Sequence, residues 1–387
     1  MKTVDRSRFS DEQIEYADAV RSFCQREVGS REKLEVLTDS GRVCHDQALH
    51  TKFAEAGLLA VSIPEEYGGS GGGAVEQCLM FEEIFYGLAP LHGAGTSHTV
   101  AGVYKRFGSE EQKADVLGAI SAGSVMSISI SEPEAGSDAA AISCRAERTG
   151  PGYVLNGQKT WCSDAQFAER ILLVARTERG ERRHDGLTMF EVPSDAEGLR
   201  IVPISTMGAN EVNDIYLSDI ELPESAVVGE VGGGWKQVMA GLNGERLVCA
   251  AQALGSAQRT FDDLLDYIAQ RKQFGQTIGR FQALSHRFAD LAIELESVRA
   301  LTYDTVLLVE AGRARADYTV ARTSMAKVKA TEVAKKIALE GVQMMGGYGY
   351  ATEYGMERHL RHSIAPTIYA GTNEIQREII AGAYGLR

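Results

Sequence analysis

Hydrophobic periodicity changes twice along the 387 residues, and this limits the fold more than any other feature. Up to about residue 121 the texture is helical. Ser10-Asp-Glu-Gln13 and Ser109-Glu-Glu-Gln112 are capping-box sequences, in which a hydroxyl and an amide side chain satisfy free N–H groups at a helix start. Between about 122 and 230 the period drops to two. Met126, Ile128 and Ile130 alternate with Ser127, Ser129 and Ser131, and residues 171–175 and 187–192 are strand-like. Tyr153-Val-Leu followed by Asn156-Gly157 predicts a strand running into a tight hairpin. From 233 the helical period returns. Trp235, Val238, Met239 and Leu242 share a face, and Phe281, Leu284, Phe288, Leu291, Leu295 and Val298 follow at 3-4-3-4 steps, as in a bundle helix. The expected class is α+β: an N-terminal helical domain (1–121), a small β-sandwich or barrel-like domain (122–232) and a C-terminal four-helix bundle (233–387).

Acidic residues outnumber basic ones 53 to 40, a formal charge of -13, and no basic stripe is visible, which argues against nucleic-acid binding. An anionic ligand must therefore be met by local Arg, backbone N–H groups and helix ends. The six cysteines are far apart without a C-x-x-C pair and are expected to be reduced thiols. No apolar h-region opens the chain and no apolar run reaches membrane-spanning length, so a cytoplasmic protein is expected. No His pair has metal-ligand spacing, and no metal is expected. Gly68-Gly-Ser-Gly-Gly72 fits the nucleophile-elbow pattern but follows no apolar strand, and is read as a flexible surface loop. No G-x-G-x-x-G follows a strand, which disfavours a nicotinamide site.

Two segments in the period-two region carry chemistry. Ile130-Ser-Glu-Pro-Glu-Ala-Gly-Ser-Asp138 ends a strand in small polar residues, as a plain β-turn or as a loop whose amides approach a phosphate or ring. Lys159-Thr-Trp-Cys-Ser163 brings an aromatic and a hydroxyl. The Trp either fills a core or stacks on a flat cofactor, with Ser163 donating to a ring nitrogen. With Arg271-Lys-Gln-Phe-Gly275 and Gln282, Gln343-Met-Met-Gly-Gly-Tyr-Gly-Tyr350 followed by Glu353 and Arg358, and Ala370-Gly-Thr-Asn-Glu-Ile-Gln376, these blocks resemble the acyl-CoA dehydrogenase family in order and spacing. Two details depart from the usual pattern: Ser129 stands where a smaller residue is common, and His362 where an Asp follows Arg361.

The resemblance implies FAD. Ile130, Ser131 and Ser137 would contact the isoalloxazine edge and pyrophosphate. Trp161 would flank the ring and Ser163 would lie near N5. Arg271, Phe274 and Gln282 would reach the FAD of a neighbouring subunit, Gln343, Gly346 and Gly347 its adenine end, and Thr372 and Glu374 form the last contacting loop. Ser137, Asn243 and Arg246 would contact substrate. It also implies a homotetramer and an electron-transfer flavoprotein as acceptor.

Many members carry the base just before the Gly-Thr pair of the last loop. Here that residue is Ala370, which cannot take a proton, although its backbone N–H can still polarise a thioester carbonyl. Other members, isovaleryl-type ones among them, place a Glu on the first long C-terminal helix, where this chain has Gly244-Glu245-Arg246-Leu247. At about 100° per residue, Glu245 and Arg246 continue the apolar face begun by Trp235, where charge is costly unless used or paired. Glu245 is therefore the expected base, and a buried structural Glu–Arg pair the alternative. The expected reaction is α,β-dehydrogenation of an acyl thioester, acyl-CoA or one bound to a carrier protein. A further alternative is a flavin-binding subunit without activity of its own.

Overall fold

The structure is a computed structural model and describes residues 5–312 and 315–386, with the side chains of Leu242 and Asn243 left outside the description. Six helices come first: α1 (Asp11–Val28), α2 (Arg31–Leu37), α3 (Gln47–Glu55), α4 (Ala74–Tyr86), α5 (His92–Phe107) and α6 (Glu110–Ser121). Eight strands follow: β1 (Val125–Ser129), β2 (Arg145–Thr149), β3 (Gly152–Ser163), β4 (Ala168–Arg176), β5 (Leu187–Pro193), β6 (Leu199–Ile204), β7 (Val212–Pro223) and β8 (Val227–Val228). The remainder is α7 (Gly234–Gln270), the hairpin β9 (Lys272–Gln273) and β10 (Gln276–Thr277), then α8 (Gln282–Ala311), α9 (Ala316–Met345), α10 (Gly347–Tyr350), α11 (Met356–His362) and α12 (Asn373–Ala383). Both capping boxes form, with Ser10 and Ser109 Oγ accepting from Gln13 and Gln112 N–H at 3.2 and 3.1 Å.

Two compact units emerge, and they do not follow the three stretches of the chain. One comprises residues 35–72 and 90–244, the other residues 1–34, 73–89 and 245–387. The division falls inside α7.

In the first unit the sheet runs β6-β7-β3-β2-β4-β5-β8, with β1 parallel to β4. β2 and β4 meet at a single residue pair, Arg145 with Arg176, so the sheet is two halves joined at one corner. Leu155, Ile215 and Leu217 from one half and Ile171, Leu173 and Phe190 from the other fill the space between them. This is the sandwich-like arrangement that alternating burial produces. The opposite face of β4 and β5 packs on α5 and α6 through Leu172, Met189, Val100, Tyr104 and Leu117.

Asn156-Gly157 does not make a hairpin turn; this corrects the sequence expectation. β3 continues through both residues to Ser163, and the chain reverses before it, around Gly150. Asn156 instead bonds across to Asp219 at 2.9 Å. Gly157 lies at a bulge against β7, where a Cβ would come within 2.9 Å of Cys144 Cα. The Gly68–Gly72 stretch is also better held than a flexible loop. The N–H groups of Gly69, Ser70, Gly71 and Gly72 all donate to carbonyls of residues 60–64.

The second unit is helical. α8, α9 and α12 pack together, α4 packs on α1 and α8, and Leu79, Phe81, Leu254, Leu264, Val298 and Ile337 are buried. The buried Glu82 of α4 pairs with Arg299 and accepts from Tyr303, so this interior charge is matched rather than stranded.

Candidate active site

In the sheet-containing unit, the 130–138 loop is built on a buried ion pair. Lys159 Nζ donates at 2.9 Å both to Ile130 O and to Glu132 Oε1, and both side chains are buried. Glu132 also accepts from Ser143 N–H at 2.6 Å, Ser143 Oγ at 2.9 Å and Cys144 N–H at 2.8 Å. Burial alone would raise this carboxyl, but Lys159 and the two backbone N–H groups outweigh it and hold it low. The loop closes on paired backbone bonds between Glu132 and Ala135, and Thr160 N–H donates to Ser131 O at 2.9 Å. This ties the loop directly to the end of β3.

Trp161 stands there with a left-handed backbone, φ +58, and 59% of its surface exposed. A bulky residue in that region is strained, and an exposed indole gains nothing from a core. The hydroxyls of Ser131, Ser137 and Ser163 have no partner among the described residues, while the Ser163 carbonyl accepts from Ser127 Oγ at 2.5 Å. A fixed strand end thus presents one flat aromatic and several free donors.

In the helical unit, Glu245 lies on α7. Its Oε2 is buried without a hydrogen-bond partner among the described residues, and burial pushes the carboxyl up to about 7 against the attraction of Arg246 and Lys327. Arg246 is buried beside it. Lys327, wholly buried on α9, donates at 3.0 Å to Gly371 O and to Asn373 Oδ1. Gln376 Nε2 donates to Ala370 O at 3.0 Å, and Thr372 caps α12 by accepting from Ile375 N–H at 3.3 Å. The tightly held loop keeps Ala370 at φ +54 and leaves its N–H without an acceptor among the described residues. Glu374, exposed in the first turn of α12, is held below its usual range by its own backbone N–H and the Thr372 hydroxyl. Asn243, expected near substrate, lies outside the described residues as to its side chain.

The same unit holds a cavity of about 560 Å³ lined by Tyr267, Arg271, Phe274, Phe281, Met344, Met345, Gly346, Gly347 and Tyr348. Arg271 lies with its guanidinium 5.0 Å from the Tyr348 ring centre and has no carboxylate partner among the described residues. Phe274 is 93% exposed at the tip of the β9–β10 hairpin, where it and Gly275 both have positive φ. Gly346 adopts φ +63, ψ -139, which only glycine takes readily, and a Cβ there would meet open space. Gln282 and Gln343 are exposed, at the starts of α8 and of the Gly346 turn.

Sequence reasoning passed over Lys327, Asn373, Gln376 and the Glu132–Lys159 pair. Lys327 left a signal: it shares a helix face with Ala330, Thr331 and Ala334, where a charge must have a buried partner. Its partners are loop carbonyls far along the chain, which spacing does not reveal.

An exposed flat aromatic beside unbonded hydroxyls in one unit, and a buried carboxyl raised toward neutrality in the other, are parts required by the class of dehydrogenases that remove a weakly acidic C–H. Family models place the chain within it: the acyl-CoA dehydrogenase N-terminal domain matches residues 10–124, the middle domain 127–220 and the C-terminal domain 232–385. The chain belongs to the acyl-CoA dehydrogenase family, whose members are FAD-dependent oxidoreductases. It is 34% identical to the mitochondrial short/branched chain specific acyl-CoA dehydrogenase of Bos taurus, over 96% of this chain and 85% of the relative. An acyl-CoA dehydrogenase structure from Geobacillus kaustophilus matches with TM-score 0.91 at 30% identity, covering 97% and 98% of the two chains. The prolyl acyl carrier protein oxidase AnaB matches with TM-score 0.87 at 28% identity, covering 98% and 100%. Among the described residues no helix is long and apolar enough to cross a membrane.

The residues present fit FAD. Trp161 offers a face for a tricyclic ring, Ser163 and Ser131 offer hydroxyls without a partner among the described residues, and Arg271 offers a guanidinium without a carboxylate partner among them, beside an aromatic cavity.

Proposed function

We propose that this chain dehydrogenates an acyl thioester, acyl-CoA in the first instance, to the trans-2-enoyl thioester, with Glu245 as the base. The observation that carries the reading is Glu245 itself: a carboxylate oxygen buried without a partner among the described residues, and a carboxyl raised to about 7 by burial. A base with that affinity for protons is mostly ionised just above neutrality and still takes a proton effectively. The Ala370 N–H is held in a fixed loop by Lys327 and Gln376 and donates to the thioester oxygen, stabilising the enolate as the α-proton leaves. Ser137 and Arg246 contact the thioester. Bound FAD supplies the acceptor for the β-hydride at N5. Ile130, Ser131, Ser137, Trp161 and Ser163 hold its ring and pyrophosphate; Arg271, Phe274, Gln282, Gln343, Gly346, Gly347, Thr372 and Glu374 hold the remainder. Four chains assemble so that Arg271, Phe274 and Gln282 serve a neighbour's cofactor, and an electron-transfer flavoprotein reoxidises the flavin. The likeness to a carrier-protein oxidase favours a carrier-bound acyl or aminoacyl thioester as the second reading.

Anaerobic mixing of the yellow protein with a panel of acyl-CoA and acyl-carrier thioesters tests this. The true substrate class bleaches the flavin within the mixing experiment, and a protein bleached by none of them has another function. Because Glu245 works only when ionised, kcat/KM for bleaching rises about tenfold per pH unit below the carboxyl's value of about 7 and levels above it. A profile flat through neutrality would remove Glu245 from the role.

Arg271→Ala is expected to weaken FAD retention by about 1.5–3 kcal/mol, the worth of a charge-assisted contact to phosphate. Equilibrium dialysis of FAD against the apoprotein measures it, and unchanged affinity would return Arg271 to an ordinary surface role.

A further inference from the structure

Three side chains with no part in proton removal or flavin contact converge in the sheet-containing unit. Cys44 precedes α3, His92 opens α5 and Asp164 follows β3. Their sulfur, nitrogen and oxygen donor atoms all lie within 4.8 Å of one another. His92 Nδ1 and Asp164 Oδ2 are 2.7 Å apart, and Asp164 is wholly buried while His92 keeps 28% of its side chain exposed. The second carboxylate oxygen, Oδ1, is buried with no partner among the described residues, and Asp164 is held in the left-handed region at φ +56. An interior carboxylate with an unused oxygen on a strained backbone is costly unless it serves something.

We propose that Cys44, His92 and Asp164 form a three-ligand site for Zn²⁺, with water in the fourth position. A thiolate, an imidazole and a carboxylate suit this borderline-soft cation, and three protein ligands with one open place is a common zinc arrangement. Tetrahedral bonds of about 2.0–2.3 Å put two ligand atoms about 3.3–3.7 Å apart, so the His92–Asp164 pair, now at 2.7 Å, opens to admit the ion. Charge balances without redox change. Metal-free, the trio carries a thiol, an imidazolium and a carboxylate, with no net charge. Loaded, Zn²⁺ meets a thiolate, a neutral imidazole and a carboxylate, again with none, and two protons pass to solvent. The partly buried setting therefore gains no uncompensated charge. Neighbouring His45 is not available as a fourth ligand: Nδ1 accepts from Gly93 N–H and Nε2 faces Gln47 Oε1, both at 3.2 Å. Sequence spacing could not reveal this trio, because no two of its members are close in the chain.

FAD-replete full-length protein is incubated with zinc chloride, freed of excess by gel filtration and assayed for metal. One zinc per chain is expected. Cys44→Ser and His92→Ala should each weaken zinc binding, measured against a chromophoric chelator. The loss should be at least the roughly 10–100-fold that removal of an outer-shell partner costs. Cys24→Ser, altering a buried thiol of α1, should bind as the parent does. If the Cys44 variant fails to fold, the unaltered protein still decides: zinc should protect Cys44 from alkylation by iodoacetamide, read by peptide mass. Substoichiometric zinc, parental affinity in folded Cys44→Ser and His92→Ala, or undiminished alkylation overturns the site.

Discussion

Lys159→Met destabilises the protein by about 3–5 kcal/mol, because it leaves Glu132 buried without its counter-charge. That is a large part of the 5–15 kcal/mol typical of a folded protein. Methionine fills most of the space but gives neither Ile130 O nor Glu132 Oε1 a donor. The remaining donors to Glu132, from Ser143 and Cys144, cannot neutralise it. The loop that begins at Ile130 then loses one of its ties to the strand bearing Trp161 and Ser163, the Thr160–Ser131 bond remaining, so flavin retention is expected to fall with stability. Denaturant unfolding of parent and variant measures the first effect and FAD dialysis the second. Adding Glu132→Gln to Lys159→Met removes the stranded charge and keeps an acceptor for one of the two backbone N–H groups, so part of the stability returns. An unchanged midpoint in the single variant would mean that solvent reaches Glu132.

The same pair has a pH signature. The carboxyl of Glu132 is held below its unfolded value, so its contribution is complete above that value, about 4.3, and is lost as pH falls through the folded one.

What could be read from the sequence was local. The helix starts at Ser10 and Ser109 need only residues three positions away, so their caps were legible. Asn156-Gly157 misled for the complementary reason. Its turn preference is local, but pairing of β3 with β7, the Asn156–Asp219 bonds and the Cys144 approach to Gly157 outweigh it. Lys159 and Lys327 could be seen as charges among apolar or small neighbours, yet their use depends on carbonyls and carboxylates that meet them only in the fold. The apolar face of α7 flagged Glu245 and Arg246 together as charges continuing it, and only the family resemblance told them apart. The left-handed backbones of Trp161 and Ala370 had no sequence signal at all, since neither residue type favours positive φ.

Glu245→Gln is expected to retain FAD and to bind a thioester, while turnover falls by about 10²–10⁴, the usual contribution of a positioned general base. The amide preserves shape and cannot take a proton, so exchange of the α-hydrogen with solvent deuterium is lost together with flavin bleaching. The variant should also be no less stable than the parent, because the carboxyl it removes is one that burial already disfavours as an anion. Ala370 offers the complementary test. It stands where many relatives of this fold carry their base, and Lys327 and Gln376 fix its loop. Adding Ala370→Glu to Glu245→Ala should therefore restore a measurable part of the lost activity if both positions serve one α-carbon. The acyl preference should shift with it, because bulk moves from α7 to the loop. Near-parental turnover in Glu245→Gln would mean that another group removes the proton, leaving Glu245 a buried carboxylate that burial and Arg246 merely tune.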